Sequence, residues 1–288
     1  MAIATSELIL NDDGSVYHLN LLPEDIAGTI ILVGNPDRVP EVTKYFDTIT
    51  LKKRKREFNI HTGTCNGKRI SVVSTGIGTD NIDIVLNELD ALANIDLKAR
   101  KVKEQTQSLN IIRIGTSGAI QEDIPVDSFL LSEFGIGLDG LLHFYNAEEQ
   151  QYTALKTALD NHINWQPHHI APYVFEADGS LARTLRSNDM RLGITVTNAG
   201  FYAPQGRALR LQPKLLDFHQ KLREFQFEGR QITNLEMETA AIYGLSKLLG
   251  HRAVSMNAIL ANRANGNFSK NPKRTVDTLI QYCLEKLT

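Results

Sequence analysis

Three arginines, a pair of acids two residues apart, and a loop carrying an aromatic ring, an amide and a guanidinium are the side chains here whose types and spacing could do chemistry. Arg113 sits in Ile111-Ile112-Arg113-Ile114, an apolar strand expected to break into a turn at Gly115-Thr116-Ser117-Gly118. A guanidinium inside a buried strand cannot shed its charge, so it needs an anion near the strand end. Hydroxyls and amides of the turn would serve the same anion. The stretch alone equally allows Arg113 to bridge to a structural carboxylate, with the glycines merely turning the chain. Two more glycine-bearing strand ends, Gly34 to Arg38 and Thr75-Gly76-Ile77-Gly78, are placed at the same sheet edge. Arg38, Arg113 and Arg56 together could hold a doubly charged phosphate. None of these turns has Walker A or GxGxxG spacing, so neither ATP hydrolysis nor dinucleotide binding is supported.

Glu236-Met237-Glu238 opens a predicted helix. Acids at i and i+2 point to different sides of a regular helix, so both reach one ligand only if Glu236 lies before the helix proper. That arrangement suits a pair of adjacent ribose hydroxyls, whereas the helix dipole alone accounts for one acid. Phe201, Gln205 and Arg207 combine a flat apolar face, an amide and a fork of donors, which can stack on and read a heterocyclic base. In isolation they equally describe a surface loop with an anchoring phenylalanine. His18, near the N-terminus, carries little signal alone. No His/Cys cluster has metal-ligand spacing, and no Ser/His/Asp or Cys/His set is legible, so no metal site is expected.

The elements that must position these residues alternate along the chain. Buried strands are predicted at Thr29–Val33, Ile111–Ile114, Val126–Glu133, Tyr173–Phe175, Gly193–Thr197 and Ala253–Leu260. A hairpin spans Arg56 to Ser74 around the Asn66-Gly67 turn. Helices are predicted from Pro36 to about Phe46, from Thr79 or Asp80 through Ala93, from Ala147 to His162, from Met237 to Leu249, and at the C-terminus. Lys98 to Ser108 reads as a charged, solvated excursion, and Lys52 to Arg56 as a solvated edge. No linker or composition shift divides the chain. The expectation is one α/β domain over 1–288, three layers αβα around a central mixed, strongly twisted sheet.

Bulk properties agree with an ordinary globular protein: 288 residues, 42% hydrophobic, 22% charged, formal net charge −2. That charge makes no case for nucleic acid as a partner. Two cysteines, Cys65 and Cys283, fit a reducing compartment. The N-terminus lacks the pattern of a signal peptide, and no apolar run approaches the ~18 residues of a membrane span, so no membrane association and a cytoplasmic location are expected.

Taken in order, Val16-Tyr17-His18-Leu19, Gly34 to Val39, Arg56-Glu57-Phe58, Ser74 to Gly78, Arg113 to Ile120, Phe201 to Arg207, Asn234 to Glu238 and Asn262-Arg263 resemble the nucleoside phosphorylase superfamily, and within it the uridine phosphorylases. The resemblance runs from about Tyr17 to the terminal helix. It implies that Gly34, Arg38, Arg113 and Thr116 bind phosphate, with Arg56 supplied by a neighbouring subunit. Thr116, Glu236, Met237 and Glu238 would hold the ribose, and His18 would reach the 5′-hydroxyl of the adjacent subunit's ligand. Phe201, Gln205 and Arg207 would take the base, with Arg263 anchoring that pocket. Arg113, Arg207 and Glu238 would carry the catalysis.

The implied reaction is reversible phosphorolysis of uridine, and of deoxyuridine if the 2′ position is tolerated, with nucleoside and phosphate as the small-molecule partners and no cofactor. Members acting on purines protonate the base with an aspartic acid where Asn262-Arg263 stands here, which favours a pyrimidine. Asn35 departs from the aspartate common in bacterial relatives. The insertion at 98–108 points to a homodimer with shared sites and leaves a hexamer open. Bacterial members hold a monovalent cation near a glutamate matching Glu57, a neighbourhood that Asn81 alters. The rivals are a purine phosphorylase or nucleosidase of the same superfamily, and a nucleoside-binding protein without activity. Three gathered arginines count against a nucleosidase, because water needs no such cluster.

Overall fold

The computed structural model describes residues 2–164 and 171–288. In chain order it contains β1 (Thr29–Val33), α1 (Arg38–Thr43), β2 (Thr48–Lys55), β3 (Phe58–Cys65), β4 (Lys68–Ser74) and α2 (Thr79–Asn94). There follow β5 (Ile95–Asp96), β6 (Lys101–Val102), β7 (Asn110–Ala119), β8 (Phe129–Gly137), α3 (Thr153–Ile163), β9 (Tyr173–Glu176) and α4 (Gly179–Leu185). The last part holds β10 (Arg191–Thr197), α5 (Phe218–Glu224), β11 (Gln226–Phe227), β12 (Arg230–Glu236), α6 (Thr239–Leu248), β13 (Arg252–Asn262), β14 (Asn267–Phe268) and α7 (Pro272–Leu287).

The sheet runs β11-β12-β10-β8-β13-β7-β1-β4-β3-β2, with β9 on β8 and β14 on β13. It is mixed, because β13 lies parallel to β7 and antiparallel to β8. Strand β1 shows why helices cover both faces. All five of its residues are buried, the near-continuous apolar run of an inner parallel strand. Ile30 and Leu32 join a core built with α2 and α6, while Ile31 and Val33 join one built with α1 and α7. These are the three layers expected from the sequence.

One pairing shapes the site. Strand β12 also bonds β7, matching Asn234 to Ala119 and Leu235 to Gly118. Strands β7, β13, β8, β10 and β12 thereby close on themselves, which a flat sheet could not do. The closure carries Glu236 to Glu238, at the end of β12, beside the second half of β7.

Several boundaries differ from the expectation, and the largest difference concerns β7. Gly115-Thr116-Ser117-Gly118 is not a turn: β7 continues through it to Ala119, held by β13 from Gly115↔Asn257 to Asn262↔Ala119. Gly115 is there for space, since a Cβ at that position would lie 1.7 Å from Arg113 Nη1. Helix α1 is shorter than predicted, residues 36–37 being turn, and Gly78 rather than Thr79 or Asp80 precedes α2 as its N-cap. The predicted helix from Ala147 resolves into a 3-10 turn at Glu148–Gln150 and then α3. The predicted strand at Val126–Glu133 begins and ends later, as β8. Strand β12 and helices α4 and α5 carry no prediction at all. The Lys52 to Arg56 run belongs mostly to edge strand β2, whose residues alternate between exposed and half-buried. Within the 98–108 insertion only Lys101–Val102 pairs, with Ile95–Asp96 in a two-stranded hairpin.

Candidate active site

A cavity of about 790 Å³ opens where the loops after β1 and β4, the second half of β7, the end of β12 and the 201–207 loop meet. That volume accommodates a nucleoside together with an oxyanion. Gly34, Arg38, Arg113, Thr116, Phe201, Gln205, Arg207, Glu236, Met237 and Glu238 all line it.

The β1 and β4 loops are placed side by side by their glycines. A Cβ on Gly34 would sit 3.4 Å from the Gly76 carbonyl, and Gly76 and Gly78 have φ of +72° and +100°, a region that favours glycine. Arg38 starts α1 from this floor, and its Nη1 donates to the Ile114 carbonyl at 3.3 Å. Arg38 forms no ion pair among the described residues. Burial and the neighbouring Arg113 both lower its pKa, and the charge of Glu41 opposes them only in part.

Arg113 is held on every side. Its Nη1 donates to Asn257 Oδ1 at 3.0 Å, and its Nη2 donates to Glu238 Oε2 at 2.5 Å and lies 3.2 Å from Glu236 Oε2. Burial alone would lower its pKa, but Glu236 and Glu238 reverse that and raise it. The bridge to carboxylates and the exposure to a ligand cavity, posed as alternatives by the sequence, thus occur together.

The two acids divide. Glu236 Oε1 accepts from Thr197 Oγ1 at 2.6 Å, and Oε2 accepts from the backbone N–H groups of Glu238 and Thr239 and from Thr239 Oγ1, each at 2.9 Å. It therefore caps the buried N–H groups at the start of α6 that have no partner within the helix, and that helix begins at Thr239 rather than Met237. Glu238 accepts from Gly78 N–H at 2.8 Å as well as from Arg113. Burial raises its pKa, Arg113 opposes the rise and Glu236 adds to it. Of the two, Glu238 is the carboxylate with capacity left for a hydroxyl.

At the opposite wall Arg207 stacks on Phe201, its guanidinium carbon 3.9 Å from the ring centroid. Its Nη1 donates to the Phe201 carbonyl and to Gln205 Oε1, both at 2.6 Å. Occupying Oε1 leaves the Gln205 amide nitrogen as the free end of that side chain. Burial lowers the pKa of Arg207.

Three predicted residues lie off the cavity wall. Arg56 is exposed in the turn between β2 and β3, at φ +54°. His18 points Nδ1 at Glu88 Oε1, 2.7 Å away. Arg263 donates from Nη1 to the Gln205 carbonyl at 2.5 Å and so supports the loop from behind. Conversely, Ser117, Ile77 and Phe268 line the cavity without having been given a role. Ser117 stood inside a quoted motif, and its Oγ accepts from Asn234 Nδ2 at 2.9 Å. Phe268, 75% exposed, is a lone aromatic in a polar stretch and left no signal.

Residues 29–285 match the phosphorylase superfamily. The chain belongs to that superfamily. Among curated superfamily members, the uridine phosphorylase of Thermococcus kodakarensis is 29% identical over 90% of this chain and 82% of its own length. The uridine phosphorylase of Haemophilus influenzae is 29% identical over 86% of each chain. A solved superfamily structure, a Trypanosoma brucei nucleoside phosphorylase described as showing uridine phosphorylase activity, superposes with a TM-score of 0.87 at 27% identity, covering 97% of this chain and 99% of that one.

Proposed function

We propose that this phosphorylase superfamily member catalyses the reversible phosphorolysis of uridine to uracil and ribose 1-phosphate, a step of pyrimidine salvage. The observation that carries the reading is one cavity holding an unpaired arginine, Arg38, an acid with free capacity, Glu238, and a donor fork, Arg207, on the far wall. Arg38, the glycine floor and Thr116 receive phosphate, with Arg113 behind. Glu238 and Met237 hold the ribose. A phosphate oxygen of hydrogen phosphate attacks C1′ as the C1′–N1 bond breaks, the bonding pair leaves with uracil, and the base then takes up the proton that the phosphate carried. Positive charge on the sugar develops beside the bound phosphate, and negative charge on uracil develops beside the Arg207 and Gln205 donors. Every group in this scheme comes from the chain or its substrates, so no metal or organic cofactor enters it.

The working unit is a homodimer, in which the partner subunit completes the site with its own arginine and histidine matching Arg56 and His18; both sit away from the cavity of their own chain. A cytoplasmic location is part of the same reading. The test is uracil release from uridine with and without inorganic phosphate. Release that requires phosphate and yields ribose 1-phosphate supports the proposal. Phosphate-independent release would make the protein a nucleosidase, and turnover of inosine in place of uridine a purine phosphorylase.

A further inference from the structure

Behind the base-side wall lies a titratable group that the mechanism above does not use. Gly206 ends the 3-10 turn Ala203–Gln205 at φ +70°, and a Cβ on it would lie 3.4 Å from the His219 Cβ. His219, near the start of α5, is therefore packed against the residue that separates Gln205 from Arg207. Its Nε2 is buried and has no hydrogen-bond partner among the described residues. A buried polar nitrogen left unpaired is costly, so one that persists beside a binding loop calls for an occupant.

The neighbourhood supplies donors. Arg263 uses Nη1 on the Gln205 carbonyl, and its other guanidinium nitrogens have no protein partner among the described residues. Burial, then the charges of Arg263, Arg223 and Arg207, hold the His219 pKa down to about 4. The ring is neutral at physiological pH and keeps a lone pair to offer.

We infer that His219 is a positioning residue for base recognition: with nucleoside bound, its Nε2 accepts an N–H from the Arg263 guanidinium. Arg263 is then fixed against the Gln205 carbonyl, and Gln205 and Arg207 are fixed in the geometry that grips the base. The inference rests on the nucleoside reading of the cavity and adds a contact to it. It assigns His219 no contact with substrate or phosphate.

Steady-state phosphorolysis of uridine by the full chain tests it, using His219→Leu, His219→Gln and Arg263→Met singly and His219→Leu combined with Arg263→Met. The loss of an acceptor for a charged guanidinium should raise the uridine KM about ten- to a hundredfold. The phosphate KM should stay within about twofold, because the phosphate wall is on the other side of the cavity. His219→Gln, which keeps an acceptor, should restore the uridine KM to about the parent value, and His219→Leu should add nothing once Arg263 is methionine. If His219→Leu does not fold, His219→Phe takes its place. An unchanged uridine KM, a parallel rise in both KM values, no rescue by glutamine, or an undiminished effect in the Arg263→Met background each overturns the inference. A parent protein that does not turn uridine over defeats the activity proposal instead. Calorimetric titration with uridine then decides His219: weaker binding by the leucine variant, restored by glutamine, supports the role, and equal binding by all variants rejects it.

Discussion

Arg38 makes no ion pair among the described residues, whereas Arg113 stands against two carboxylates. The two arginines should therefore fail differently. Arg38→Met removes a cavity charge that makes no ion pair among the described residues, so the phosphate KM should rise about ten- to a hundredfold, the range of a charged hydrogen bond, with the uridine KM little changed. Initial-rate kinetics with each substrate varied in turn measures the split. His219 offers a second test at this scale, one of stability rather than turnover. Burial first, then three arginines, lower its pKa from 6.5 to about 4. Between those values the unfolded chain binds more protons than the folded one, so this residue's contribution rises with pH; it is complete above the unfolded value and is lost as pH falls through the window. Urea unfolding of the parent and of His219→Leu from pH 7 down to 4.5 should show a steeper loss of stability in the parent.

The elements explain what the sequence could and could not disclose. Arg113 was legible as a charge needing an anion, because a guanidinium in Ile-Ile-Arg-Ile contradicts its surroundings. The turn drawn after it was not there. Gly115 and Gly118 imitate a turn locally, but β13 and β12 supply partners from distant parts of the chain, and such pairing is invisible in a short window. Glu236 and Glu238 were legible as a pair, and the condition that Glu236 precede the helix is met. Its capping of α6 depends on Thr197 and Thr239 and could not be read from spacing. Strand β12 was missed because Arg230-Gln231-Ile232-Thr233-Asn234 is polar, and its hydroxyl and amide groups pair only in the folded core. Gly115 carries the prediction at this scale. Its missing side chain leaves room for the Arg113 guanidinium, with Asn257 Oδ1 also only 2.8 Å from where a Cβ would stand. Gly115→Ala has φ/ψ it can adopt, so its cost falls on Arg113, which cannot retreat past Asn257 and the two acids. Displacing that buried cation should lower stability by about 3 kcal/mol and kcat/KM by about a hundredfold or more. Chemical denaturation and steady-state kinetics on the same preparation check both. A fully active, stable alanine variant would mean that the guanidinium has another seat.

At the scale of the whole molecule, the placement of Arg56 and His18 matters most. Both belong to the resemblance on which the site was assembled, yet neither lines the cavity of its own chain. His18 is oriented by Glu88, which also accepts from the backbone N–H groups of His18 and Leu19. Arg56 is exposed at a left-handed turn, a conformation that costs energy for a residue with a side chain. An exposed arginine held in that way is a poor element of a monomer and a reasonable one for a surface that meets another subunit. If sites are shared, each cavity takes Arg207 from one chain and Arg56 from the other. Arg207→Ala and Arg56→Ala homodimers should then both be nearly inactive. Unfolding and refolding them together yields heterodimers in which one cavity carries both lesions and the other carries neither. Random pairing of equal amounts predicts recovery of about a quarter of the parent activity, although neither component contributes any alone. The same mixture made from Arg207→Ala and Arg38→Ala should recover almost nothing, because those two residues line one cavity of one chain and every heterodimer cavity keeps a lesion. Recovery in the first mixture but not the second assigns Arg56 to the partner's site. Equal failure of both would return it to the surface of its own chain.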